Sequence, residues 1–303
     1  MVFELLLIAL VFLAVMLVSG NNLSVCVGPA VGARILSKRA GAFLGVVGFT
    51  TGLLLQGWGM INSINSLIPN ATMQLQSEVL MVAIVVFVVA HLVRVPLSLS
   101  MSLVGLLVGA ALAHNLGLQA SYVFSVVALW FIAPIAAAIV AFYLIRVISR
   151  QKVRNIWRRI RFYKVLLLIL AFTSAYTTGA NTIGLIVATA GFNITTVLVA
   201  VSAVFIGVFC LGEGAIRRVG EEFYLMRYSN ATVALAASTI LVEVASFLNI
   251  PLSNTQATTA AVFGAGISYK SKFLSLKPYL IILGGWIVAP LLSFSIGYFL
   301  ISI

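Results

Sequence analysis

The chain has 303 residues, 62% of them apolar and only 8% charged, with a mean hydropathy of +1.19. A soluble domain carries about 25% charged residues, so composition excludes one and marks an integral membrane protein. The net charge of +12 would suit nucleic acid, but its eighteen Lys and Arg residues are confined to a few loops, which excludes a nucleic-acid partner and points to the lipid bilayer.

Apolar stretches near the roughly 20 residues of one bilayer crossing cover 3–19, 40–62, 77–93, 99–116, 121–145, 163–180, 194–212, 230–249, 252–268 and 278–302. Glu4 stands where a signal peptide would be basic, so the first stretch is read as a span rather than a cleaved leader. The runs are long and do not alternate, which excludes a membrane barrel. The fold class is therefore an all-α polytopic membrane protein of about ten transmembrane spans.

Taken in chain order, the polar features occur twice. Ser19-Gly20-Asn21-Asn22 recurs as Gly179-Ala180-Asn181-Thr182, and Pro96-Leu97-Ser98 as Pro251-Leu252-Ser253. Trp130 and Pro134 recur as Trp286 and Pro290. Counted from Asn21, Pro96 and Trp130 the offsets are 160, 155 and 156 residues, and Gly57-Trp58-Gly59 against Gly212-Glu213-Gly214 adds a fourth at 155. The chain divides into a first repeat, 1–145, a basic cytoplasmic linker, 146–164, and a second repeat, 165–303. Repeats of this kind in a hydrophobic chain are a mark of secondary transporters.

With five crossings per half, the loops at 34–39, 94–96, 146–164, 213–228 and 269–277 share one side and hold every Lys and Arg. The positive-inside rule makes that side cytoplasmic, places both termini outside and puts the protein in the cell membrane as a multi-pass chain. An odd number of crossings also inverts one half relative to the other. The linker's basic cluster reads first as a topology signal and anionic-lipid contact. Cys26 and Cys210 lie in apolar surroundings and read as packing residues. No nucleotide-binding or metalloprotease motif is present, so the chain reads as no enzyme, with no cofactor and no metal.

Gly20-Asn21-Asn22-Leu23-Ser24 and Thr177-Thr178-Gly179-Ala180-Asn181-Thr182 interrupt apolar runs with poor helix formers, which predicts broken helices whose half-helix N-termini face an anion. Pro96 and Pro251 each open a hydroxyl-rich stretch, Ser98-Leu99-Ser100-Met101-Ser102 and Ser253-Asn254-Thr255-Gln256. Pro at a first helical turn predicts a helix start, re-entrant or spanning, whose backbone donors remain available. Small hydroxyls are suitable donors to an oxyanion because they add no fixed charge. The candidate substrate-binding residues are Asn21, Asn22, Ser24, Ser98, Ser100, Asn181, Thr182, Ser253, Asn254 and Thr255.

On these motifs the chain resembles the inorganic phosphate transporter family, the PiT permeases, which carry a GANDVANA-like motif and a PVSTTH-like motif in each half. The resemblance covers nearly the whole chain and is most specific over 212–266. It implies that substrate lies between the two Asn-containing motifs and the two hydroxyl motifs, with sodium nearby in sodium-driven members. The chain departs from the family where Asp would stand: Asn22 and Thr182 replace it, Val25 and Leu185 replace the following Asn, and Met101 and Gln256 replace the terminal His. Loss of both carboxylates weakens the case for sodium coupling. It also suits sulfate, which accepts hydrogen bonds and donates none, at least as well as phosphate.

Glu243 is the acid well inside an expected span and is a candidate for proton coupling. Arg94 is a candidate for anion attraction if its loop is a re-entrant tip. His91 reads as a helix-face residue rather than a proton relay, His114 carries little information, and Phe43, Phe49, Trp58 and Tyr224 read as lipid-facing or interfacial. The expected function is secondary transport of an inorganic oxyanion by alternating access, phosphate first, coupled to Na+ or H+. Sulfate or another oxyanion is the alternative substrate, and a passive anion channel or uniporter the alternative mechanism. A homo-oligomer remains open.

Overall fold

A computed structural model describes residues 2–92, 98–150, 155–221, 227–268 and 276–300. Arg94, Pro96, Leu97 and Tyr224 lie outside them, as does the side chain of His91. Every described regular element is helical. The first repeat holds α1 (Val2–Gly32), α2 (Lys38–Gln56), α3 (Met60–Leu67), α4 (Met73–Leu92), α5 (Leu99–Ala113) and α6 (Ala120–Arg150). The second holds α7 (Ile156–Thr178), α8 (Gly184–Thr189), α9 (Ile194–Glu221), α10 (Tyr228–Phe247), α11 (Asn254–Ser268) and α12 (Leu276–Leu300); α6 and α7 thus extend as helix into both ends of the stretch 146–164 expected as a linker. A 3-10 turn at Gly57–Gly59 joins α2 to α3, and a π turn at Gly179–Ile183 joins α7 to α8. Six of the described helical runs are long and apolar enough to cross a membrane.

The repeats interlock. By the sequence offsets α5 is equivalent to α11 and α6 to α12, and α5 packs on α12 while α11 packs on α6. Likewise α1 packs on α9 and α7 on α2. The major interfaces therefore join one repeat to the other. Small residues allow the approach, as expected where lipid gives no hydrophobic drive between helices. A Cβ on Gly264 of α11 would lie 2.1 Å from the Ala138 carbonyl oxygen of α6, and one on Gly109 of α5 2.3 Å from that of Phe294 of α12. Gly264→Leu is expected to force α11 off α6 and to abolish folded, monodisperse protein by size-exclusion chromatography, whereas Gly284→Leu, at a position with open space, leaves it intact.

The outer surface is apolar. Phe124, Phe131, Ile132, Ile135 and Ile139 of α6 are exposed, as the hydrocarbon of a bilayer requires. Phe43 and Trp58 share that exposure, but Phe49 does not. It is fully buried, with its backbone against Gly179, so it belongs to the α2–α7 contact rather than the lipid face.

The first expected helix break is absent, since α1 runs through Gly20-Asn21-Asn22 without interruption. Gly20 is there for packing: a Cβ would stand 2.6 Å from Leu211 Cβ and 2.8 Å from the Gly207 carbonyl oxygen of α9. The Ser19 and Ser24 hydroxyls donate back to the Met16 and Asn21 carbonyls of their own helix. Without water to take up freed backbone groups, intrahelical bonding overrides the weak propensity of Gly and Asn. In the second repeat the same region becomes a π turn, an irregularity common at functional sites.

Candidate functional site

The helix N-termini offered to the site come from the hydroxyl motifs. Over their described residues α5 and α11 have 15 residues each, about 22 Å, shorter than a hydrocarbon core of about 30 Å. Ser98, Ser100, Ser253 and Asn254 at their starts are all buried. The first N–H groups of a helix have no intrahelical partner, so these starts aim donors and partial positive charge inward. Ser253 Oγ accepts from Gln256 N at 3.3 Å and caps α11. Ser98 holds the same position on α5 without a side-chain cap bond.

Two hydrogen bonds join the Asn-containing motif of each repeat to the hydroxyl motif of the other. Thr255 Oγ1 donates to Asn22 Oδ1 at 3.3 Å, and Ser100 Oγ donates to Thr182 Oγ1 at 3.2 Å. Asn22 is the sequence equivalent of Thr182, and Ser100 of Thr255, so the two bonds are related by the internal repeat. All four side chains are buried or part-buried and electrically neutral.

A third cluster belongs to the second hydroxyl motif alone. Asn254 Nδ2 lies 2.5 Å from Thr178 Oγ1, 3.3 Å from Ser174 Oγ and 3.4 Å from Cys26 Sγ, and Thr258 Oγ1 donates to Asn254 Oδ1 at 3.3 Å. The Cys26 thiol reaches the Ser174 carbonyl at 3.5 Å. Cys26 thus joins a polar network as well as packing. Ser174 was not among the sequence candidates, although its position one turn before Thr178 on α7 was the available signal. The first repeat has Leu99 where the second has Asn254, so this cluster has no counterpart.

Asn181 serves another purpose. Its Nδ2 donates to Ser246 Oγ at 3.1 Å and the Ile250 carbonyl at 2.9 Å, while its Oδ1 accepts from Leu252 N at 2.9 Å. This amide spends its donors and its acceptor on the segment before α11. Trp130 Nε1 donates to the Pro251 carbonyl at 3.1 Å, and the Ser63 and Tyr122 hydroxyls donate to the Asn249 carbonyl. The segment is held from α3, α6 and the π turn together. Asn21 is partly exposed, and Ser24 bonds its own helix, so neither joins the paired contacts.

Glu243 lies on α10 beside Gln56 of α2 and Tyr176 of α7. Its Oε2 and the Gln56 Nε2 are buried without a hydrogen-bond partner. Glu243 is therefore outside the paired contacts, one turn from Ser246, which bonds Asn181. Among the described residues no group of three or more His, Cys, Asp or Glu is placed to hold a metal.

Apolar helices packed on one another, six of the described runs long enough to cross a membrane, define a polytopic membrane protein. The model of the phosphate transporter family matches residues 18–297, and the chain belongs to that family. It is 25% identical to a Methanocaldococcus jannaschii protein described as a candidate phosphate permease, over 95% of this chain and 93% of that one. It is also 25% identical to the sulfate permease CysP of Bacillus subtilis, over 94% of this chain and 84% of that one. A solved sodium-dependent phosphate transporter shares the fold, with a TM-score of 0.87, 16% identity and 99% of each chain covered.

Proposed function

We propose that the protein moves an inorganic tetrahedral oxyanion across the cell membrane by alternating access, with phosphate as its substrate. The supporting observation is the repeat-related pair of contacts, Asn22 with Thr255 and Ser100 with Thr182, each joining one repeat to the other. An anion inserted there exchanges two weak neutral bonds for several charge-assisted ones from hydroxyls, the Asn22 amide and the starts of α5 and α11. Movement of the halves 1–145 and 165–303 against each other would open the contacts to one side or the other. The basic loops face the cytoplasm and both termini face outward, in accord with their charge.

A second substrate, sulfate, is favoured by one observation: no described side chain in the paired contacts is a carboxylate able to accept a proton from phosphate. Counterflow of radiolabelled phosphate and, separately, of radiolabelled sulfate into proteoliposomes preloaded with the same unlabelled anion separates the two. Labelled phosphate is expected to show the larger exchange; exchange of labelled sulfate alone would reassign the substrate, and none with either anion would remove the function.

Coupling is assigned to a proton on Glu243. Glu243 stands on α10 beside Gln56 of α2 and Tyr176 of α7, among helices of both repeats, one helical turn before Ser246, which accepts from Asn181. Glu243→Gln is expected to flatten the pH dependence of uptake while counterflow persists. An unchanged pH profile together with sodium-stimulated uptake would make Na+ the coupling ion, and equilibration indifferent to either gradient would indicate a channel.

A further inference from the structure

Ser253-Asn254-Thr255-Gln256 at the start of α11 has the spacing of a reciprocal helix cap. In such a cap the first hydroxyl accepts from the backbone N–H three residues on, and the Gln or Glu there reaches back to the first residue's own N–H. Only half of it forms. Ser253 Oγ accepts from Gln256 N at 3.3 Å, but Gln256 Oε1 is buried without a hydrogen-bond partner, on a residue that is 1% exposed. Among the described residues no hydrogen bond takes the Ser253 N–H either.

A buried carbonyl oxygen left unpaired is destabilising, and each one in a native fold calls for a physical reason. The neighbouring side-chain donors are committed elsewhere. Asn181 Nδ2 donates to Ser246 Oγ and the Ile250 carbonyl, and Asn254 Nδ2 meets Thr178 Oγ1. Thr255 Oγ1 donates to Asn22 Oδ1. Gln256 therefore keeps an unused acceptor one residue from a hydroxyl of the paired contacts.

The first repeat has no such group. Met101 stands at the equivalent place on α5, buried, and its thioether accepts only weakly. Hydroxyls thus come from both repeats, while an amide acceptor comes from one. A single acceptor matches an anion with a single hydroxyl. Dianionic phosphate has one at neutral pH, whereas every oxygen of sulfate only accepts.

We propose that Gln256 is a specificity-determining residue of the transport site, its Oε1 accepting the hydrogen bond of the phosphate hydroxyl while the Ser253 N–H donates to another oxygen of the same anion. This role rests on oxyanion transport between the repeats. Sulfate presents only lone pairs to the amide oxygen and leaves it unpaired. A site built to hydrogen-bond a hydroxyl rejects an analogue without one far more strongly than it rejects a small change of size. A neutral site with no carboxylate in its paired contacts thereby tells the two anions apart.

Counterflow in proteoliposomes at neutral pH tests it, with radiolabelled phosphate, arsenate, sulfate and selenate each measured against the same unlabelled anion. Arsenate shares the proton of phosphate, and selenate shares the lack of one in sulfate, so the four separate protonation from size. Gln256→Met, which copies the residue at the equivalent place in α5, and Gln256→Leu both remove the acceptor. In each variant the phosphate-to-sulfate ratio of initial rates is expected to fall about 10–100-fold, and the arsenate-to-selenate ratio to fall with it. Tm should stay level or rise, because no bond of the amide oxygen is lost. Unchanged ratios overturn the role of Gln256 and leave transport standing. So does an equal loss for all four anions, which would make the amide a donor to any oxyanion, and so does a lower Tm in both variants, which would make it structural. Wild type that exchanges sulfate and selenate alone also overturns it, and wild type that exchanges none of the four removes transport and this role together.

Discussion

Uptake of the anion is expected to fall about 10–100-fold with Ser100→Ala and by a comparable factor with Thr255→Val. Each change removes one hydroxyl from the paired contacts. A hydrogen bond to a charged group contributes about 1.5–3 kcal/mol, and each 1.4 kcal/mol is a factor of ten. Both substitutions nearly preserve volume, so the effect belongs to the lost donor rather than to a cavity. Thr173→Val is the control: its hydroxyl bonds the Ile169 carbonyl of its own helix at 2.8 Å and faces away from the site, and uptake should change by less than about twofold. Initial rates in proteoliposomes, normalised to folded protein, provide the measurement. Wild-type rates in both site variants would remove Ser100 and Thr255 from the anion's path.

The second large effect is structural. Asn181→Leu orphans the Leu252 N–H and the Ile250 carbonyl, both buried and both bonded only through that amide among the contacts described. Each buried unsatisfied group costs about 1–3 kcal/mol, so the pair costs roughly 2–6 kcal/mol. At about 2–3 °C per kcal/mol, Tm of the purified protein should fall by roughly 5–15 °C. Thr182→Val, one residue away, removes a site hydroxyl without orphaning backbone, and its Tm should stay near wild type while its uptake falls. Equal Tm values for wild type and Asn181→Leu would show that the segment before α11 is held by Trp130, Ser63 and Tyr122 without Asn181.

The contrast between Asn181 and Thr182 shows where sequence reading succeeds and where it stops. Hydropathy located the long described helices, because bilayer thickness fixes the length of an apolar run, but it missed α8 and most of α3, which are too short to register as a crossing. The offsets exposed the repeat, and the recurring proline and serine exposed α5 and α11 as helix starts. Neighbouring polar residues could not be told apart from sequence: Asn181 and Thr182 follow each other in one π turn, and only packing shows which meets backbone and which meets Ser100. Helix continuity was equally hidden. Gly20 reads as a breaker, yet it permits α9 to approach α1, and that role depends on a helix nearly 190 residues later. The cluster of Asn254 with Cys26, Ser174 and Thr178 joins both repeats, and no periodicity within one helix signals such a meeting.

In the function proposed above, one neutral site between the two repeats carries an oxyanion against its gradient. Uptake of radiolabelled phosphate into proteoliposomes under an imposed inward proton gradient, compared between wild type and Ser100→Ala with Thr255→Val, tests it most directly. Accumulation above equilibrium by wild type, and its loss in the double variant with Tm unchanged, is the expected result. Accumulation by the folded double variant at the wild-type rate would contradict the account.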